Sequence, residues 1–190
     1  MRWFSYSLPV NGTSFWRVVE DARAEMGSDT ERVAQALLRR LRVLEPDEIE
    51  RFQELWERAR DELYRWPIID AATLLLGPLD DDAIFAVQDW IVSHGRQTMR
   101  RVQDDPDGLV ALASDRHNAR VDWFCGLPME AHLAATGTPF PVDGPSGLDE
   151  PHGTPADLTD EASARRNFPR LSAYLDDNRW IPRPWEPPAN

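Results

Sequence analysis

Lysine is absent from this 190-residue chain; all 21 basic residues are arginine. That excludes every lysine mechanism: a Schiff base, a pyridoxal phosphate anchor, a P-loop lysine or a kinase-type lysine. Cysteine occurs once, as Cys125. One thiol makes no intrachain disulfide and no thiolate zinc centre, and it sets the reducing cytosol as the expected compartment. Apolar runs are short, Leu74-Leu75-Leu76 among them, far below a bilayer span. The opening MRWFSYSLPVNGTSFW lacks the long apolar core of a signal peptide. The expectation is a soluble cytoplasmic protein with no membrane partner.

Positive charge is also scarce: 21 basic against 33 acidic residues give a formal charge of −12. Nucleic-acid binding needs clustered positive charge, so the balance argues against it. The local groups Arg39, Arg40, Arg42 and Arg100, Arg101 read first as solvated helix faces. A strongly acidic surface fits solubility, or a basic protein partner reached by electrostatic steering.

What is present is helical periodicity. Thr13 or Ser14 is a candidate cap for a helix carrying Phe15, Trp16, Val18, Val19, Ala22 and Met26, stopped by Gly27. Ser28 and Glu31 have capping-box spacing ahead of Val33, Leu37, Leu38, Leu41 and Leu44. Pro46 suits the first turn of a third helix with Ile49, Phe52, Trp56, Ala59 and Leu63 inside, and Pro67 ends it. Ile68 to Leu76 reads as a short helix capped by Asp70, with a buried strand as the weaker alternative. Asp80-Asp81-Asp82 opens a helix with Ile84, Phe85, Val87, Ile91 and Val92 inside and Gly95 at its end. Arg96 to Gln103 forms another, and Asp107 caps Leu109 to Ala113. Weaker helical patterns follow at 128–135, 158–166 and 169–175. Between residues 137 and 155, nine of 19 are Gly or Pro, too many for regular structure. The prediction is all-α: a single multi-helix domain over 1–136, a Gly/Pro-rich loop over 137–157, and a C-terminal helical segment with a Pro-rich, largely irregular tail over 158–190. That tail packs on the domain through Trp180, Ile181 and Trp185.

Four groups of residues invite a chemical reading. Asp80, Asp81 and Asp82 have oxygen ligands for a divalent cation, but carboxylates at a helix start ordinarily cap N–H groups and complement the dipole. His94-Gly95-Arg96 offers an acid–base and an anion clamp, against the simpler reading of a helix C-terminus. Asp115, His117, Asp122 and His132 contain metal-ligand types without a known spacing. Tyr64, Trp66 and Trp90 are candidate pocket walls or plain core. Cys125, beside Trp123 and Phe124, reads as a small buried apolar residue. No G-x-S-x-G elbow, dinucleotide fingerprint or P-loop is present, so no cofactor and no metal are expected.

The stretch SFWRVVEDARAEMG, with Phe15-Trp16 and Ala22-Arg23, resembles the opening of the bacterial family called domain of unknown function 4240. The same order continues through Glu48-Ile49, Phe52, Tyr64, Trp66, Ala71-Ala72, the Asp81-Asp82-x-x-Phe85 step, Trp90-Ile91, Gly95-Arg96 and Asp105-Pro106-Asp107. The likeness covers residues 13 to 112. It departs where the family has a Gly-Gly pair and this chain has Gly77-Pro78-Leu79, and Asp80 precedes the acidic pair. The resemblance implies a helical domain and a bacterial setting, and carries no activity with it.

Two functions follow. The first is a non-enzymatic interaction or regulatory module for a protein partner, basic in character. The alternative is a small-molecule-binding protein or enzyme with a pocket of Tyr64, Trp66, Asp81, Asp82, Trp90, His94 and Arg96.

Overall fold

A computed structural model describes residues 11–141 and 150–186. The centre of the Gly/Pro-rich loop, the first ten residues and the final Pro187 and Pro188 lie outside the described residues. The described chain forms α1 (Gly12–Met26), α2 (Thr30–Leu41), α3 (Pro46–Asp61), α4 (Trp66–Leu76), α5 (Asp81–Ser93), α6 (Arg96–Asp104), a 3-10 helix (Pro106–Asn118), α7 (Leu127–Thr136), α8 (Glu161–Asn167) and α9 (Pro169–Asp177). The all-α expectation is met. The only β pairing among the described residues is an isolated bridge between Arg65 and His152.

The elements start where local chemistry supplies a cap, and several starts differ from expectation. Asn11 caps α1, its side chain accepting from the backbone N–H groups of Thr13 and Ser14 at 3.0 and 3.1 Å. Asp29 caps α2, accepting from Arg32 N–H at 3.1 Å, in place of Ser28. Pro46 does open α3. Pro67, however, belongs to the first turn of α4 and does not end α3. Its missing N–H is harmless there, and its fixed φ suits a helix start.

One apolar cluster runs from Phe15 in α1 to Ile181 near the C-terminus. Its aromatic centre packs Phe15 against Phe52 at 4.9 Å between centroids and Trp56 against Phe124 at 5.5 Å, both pairs tilted. Every residue expected on the buried face of α3 is buried. In α5, Phe85 is 41% exposed, whereas Gln88 through Ser93 are all buried. The second half of that helix is enclosed on all sides, so the simple one-face pattern fails there.

Two buried aspartates fasten the C-terminal extension. Asp70 is not a cap; it sits inside α4 and accepts from Ala156 N–H at 2.7 Å. Asp107 does not cap its own segment either. It accepts from the backbone N–H groups of Arg170 and Leu171, and from Arg170 Nε, each at 2.9 Å. A residue of the 3-10 helix thus satisfies the first turn of α9, which has no side-chain cap of its own. Asp107→Ala is expected to lower the unfolding free energy by about 2 kcal/mol, read from the urea midpoint. An unchanged midpoint would mean that α9 is held by packing alone.

Candidate functional site

The most densely bonded polar group is Asp115, at 8% exposure in the 3-10 helix. Its Oδ2 accepts from Thr30 Oγ1 and from Trp90 Nε1, each at 2.8 Å. Its Oδ1 accepts from Asn118 Nδ2 at 2.6 Å, a pairing that the three-residue turn of a 3-10 helix puts on one face. His94 Nε2 stands 3.3 Å from Oδ2, the least well aligned of these contacts. Arg23 completes the group, donating to Ser93 Oγ at 2.7 Å, to Ser93 O at 3.1 Å and to Thr30 Oγ1 at 3.2 Å.

Burial raises the Asp115 pKa, but bonds from His94, Trp90, Asn118 and Thr30 together outweigh it, and the carboxyl is held well below the usual range. Burial lowers the His94 pKa, so the imidazole is neutral near neutral pH. Asp115 accepts three well-formed hydrogen bonds, and neither it nor His94 lines one of the larger clefts. The arrangement ties α1, α2, α5 and the 3-10 helix together, away from those clefts. Gly95 makes the geometry possible. Its φ of 88° turns the chain from α5 into α6, and a Cβ there would stand 3.0 Å from Glu20 Cγ.

A cleft of about 590 Å³ opens on another face, between α3, α5 and the irregular segment after the 3-10 helix. Asp82 and Asp89 come from one face of α5, seven residues apart. Asp80 and Asp122 complete four carboxylates, facing Arg60 and Arg120. Asp80 caps α5 through Ala83 N–H at 2.9 Å, which is the capping role read from the triple aspartate. Asp122 accepts from Cys125 N–H at 3.0 Å. Phe85 forms part of the wall, with the Arg60 guanidinium 4.9 Å from its centroid and Tyr64 stacked parallel at 6.5 Å.

Asp89 is the floor of this cleft and only 3% exposed. Its Oδ1 accepts from Trp56 Nε1 at 2.7 Å; Oδ2 has no hydrogen-bond partner among the described residues. Burial raises its pKa to about 6, against the partial relief of Arg60 and the Trp56 bond. Neither Arg60 nor Arg120 forms an ion pair among the described residues, although Arg120 donates weakly to Leu76 O at 3.4 Å. Cys125 also lines the cleft and is exposed, not buried as expected. Burial of its sulfur and the nearby Asp122 raise its pKa, which is the reverse of an activated thiol.

The structure therefore divides the seven candidate pocket residues. Trp90 and His94 meet edge to face at 5.3 Å inside the Asp115 group. Asp82 lines the acidic cleft, and Tyr64 reaches it through Phe85. Asp81 is exposed at the start of α5. Trp66 is half-buried, its backbone N–H donating to His152 O at 2.8 Å. Arg96 lines a separate groove between α1, α3 and α6. Asp89 escaped the sequence reading, although its seven-residue spacing from Asp82 was a usable signal. Arg120 and Asp122 lie on irregular chain, where spacing carries no such information.

Among the described residues, no three His, Cys, Asp or Glu side chains are placed to hold a metal ion. His132 contacts Glu50 at 3.3 Å, and His117 lies beside Asn118 at 3.1 Å, so the mixed His/Asp set is dispersed. No described helix is long and apolar enough to cross a membrane.

These features define a helical domain with an internal polar tie and an open, charged cleft. The family model described as a protein of unknown function (DUF4240) matches residues 11–131, and the chain belongs to that family. No curated protein and no solved structure matches it.

Proposed function

We propose that this protein is a non-enzymatic, cytoplasmic interaction module whose acidic cleft receives a basic side chain of a protein partner. The observation that carries this reading is Asp89. It is a carboxylate at the bottom of a cleft, bonded on one oxygen and unpartnered on the other, with three further aspartates at the rim. Burial disfavours the ionised form of Asp89, and an arriving guanidinium or ammonium at its free oxygen favours it. The wider −12 charge steers a cation toward it, and Phe85 beside the cleft offers an aromatic contact for the side-chain stem.

The test is NMR titration with a capped Ala-Arg-Ala peptide and its citrulline counterpart, which has the shape without the charge. The arginine peptide is expected to shift the Trp56 indole and the amides of Ala83 and Cys125 with millimolar saturation. The citrulline peptide is expected to leave them in place. Equal shifts from both peptides, or from neither, would contradict the reading.

The unpaired Arg60 and Arg120 favour a second reading in which the occupant carries both charges, as a free amino acid does. Free L-arginine binding more tightly than the capped peptide would move the assignment from a protein partner to a small molecule.

A further inference from the structure

We propose that the groove between α1, α3 and α6 is a second, independent site, which binds a small polyanion bearing phosphate or carboxylate groups through Arg58, Arg96 and Arg100. The groove has a volume of about 180 Å³, and the half-buried Trp16 and Leu55 line it beside the three arginines. At one end Gln103 Nε2 donates to Glu62 Oε2 at 3.0 Å, so the single carboxylate in the lining already has a partner of its own.

Three guanidinium groups converge on this one groove. Several surface arginines elsewhere pair with carboxylates: Arg39 and Arg40 with Glu25, Arg42 with Glu130, Arg51 with Glu54, and Arg165 with Glu161 and Asp176. The guanidinium groups of Arg58, Arg96 and Arg100 make no hydrogen bond or ion pair among the described residues. Arg96 and Arg100 are four residues apart on one helix face, an arrangement of like charges that disfavours the helix. A bound anion turns that repulsion into attraction.

Two helix starts border the groove. Gly12 and Arg96, the first residues of α1 and α6, both line the groove. Neither helix has an acidic residue in its own first turn, but Glu20 Oε1 from α1 accepts from the Arg96 N–H at 3.2 Å. The field in the groove therefore comes from the three arginines, since Asn11 caps α1 and Glu20 serves the start of α6. Guanidinium forks match the oxygen spacing of phosphate and carboxylate, and the small volume suits a compact molecule.

The experiment is a titration of the full chain with pyrophosphate and, separately, citrate at constant ionic strength. The readout is the Trp16 indole resonance, assigned with Trp16→Phe. Saturable binding of one or both anions is expected, the tighter one identifying the preferred acid group. The double variant Arg96→Gln, Arg100→Gln is expected to weaken it by about tenfold or more, and Arg32→Gln, remote from the groove, to leave it unchanged. These side chains are exposed, so the double variant is expected to keep the wild-type circular dichroism spectrum. If it does not, Arg58→Gln serves in its place. No saturable shift with either anion, or undiminished binding by the folded variant, would overturn the proposal. Neither outcome touches the acidic cleft, which lies on other residues.

Discussion

Asp115→Ala is expected to lower the unfolding free energy by about 3–5 kcal/mol at pH 7, the range for removing one partner from a buried charged network. The loss has identifiable parts. The Thr30 hydroxyl and the Trp90 indole N–H each lose their acceptor while remaining buried. Arg23, whose pKa burial lowers and Asp115 raises, loses its compensating charge. Asp115→Asn separates hydrogen bonding from charge. Its amide oxygen still accepts from Thr30 and Trp90, but its NH₂ meets the donor of Asn118, and a smaller loss of about 1–3 kcal/mol is expected. The native carboxyl titrates below the ordinary value of 3.8, so its contribution is complete above that value and fades as pH falls further. Urea denaturation of the three proteins should therefore show gaps that are flat from pH 5 to 8 and that shrink only in stronger acid. A loss under about 1 kcal/mol for the alanine variant would mean that water satisfies the orphaned donors.

Asp89→Asn is expected to act in the opposite direction. The folded state keeps the Asp89 proton to about pH 6, against an ordinary value of 3.8, so the folded chain binds more protons than the unfolded chain across that window. Wild-type stability therefore falls as pH rises through it, by about 3 kcal/mol in all. Asparagine does not ionise, and its amide oxygen still accepts from Trp56. The variant is expected to be more stable than wild type at pH 8, with the difference vanishing at pH 4 and below. The same substitution is expected to abolish binding of the arginine peptide. Gain of stability together with loss of binding is the signature of a strained site kept for function. A variant less stable than wild type at pH 8 would mean that Asp89 has a charged partner in the native fold and is not poised for a ligand.

The helices were legible in the sequence because their apolar spacing is regular. Ile49, Phe52, Trp56, Ala59 and Leu63 mark the buried face of α3 without ambiguity, and Gly95 and Gly137 mark real ends. Caps were less legible. Asn11 and Asp29 beat the neighbouring Thr13, Ser14 and Ser28 because the choice depends on where the preceding chain turns. Long-range roles were hidden altogether. Asp70 and Asp107 look like local caps in sequence, yet they bond to chain 86 and 63 residues away. Trp90 and His94 looked like pocket residues because aromatic and titratable side chains line sites and cores alike. Only their shared contact with Asp115, from a separate element, marks them as internal ties. The two sites proposed here combine residues from three elements each, and such a combination has no spacing to read.

The most direct test of the cleft is the pH titration of the Asp89 carboxyl carbon by NMR, with and without the capped Ala-Arg-Ala peptide. The free protein is expected to titrate near pH 6. Saturating peptide is expected to bring the midpoint down toward the ordinary carboxylate range, because a cation bound beside Asp89 favours its ionised form. A midpoint that stays near pH 6 with the peptide bound would place the peptide elsewhere and contradict the account.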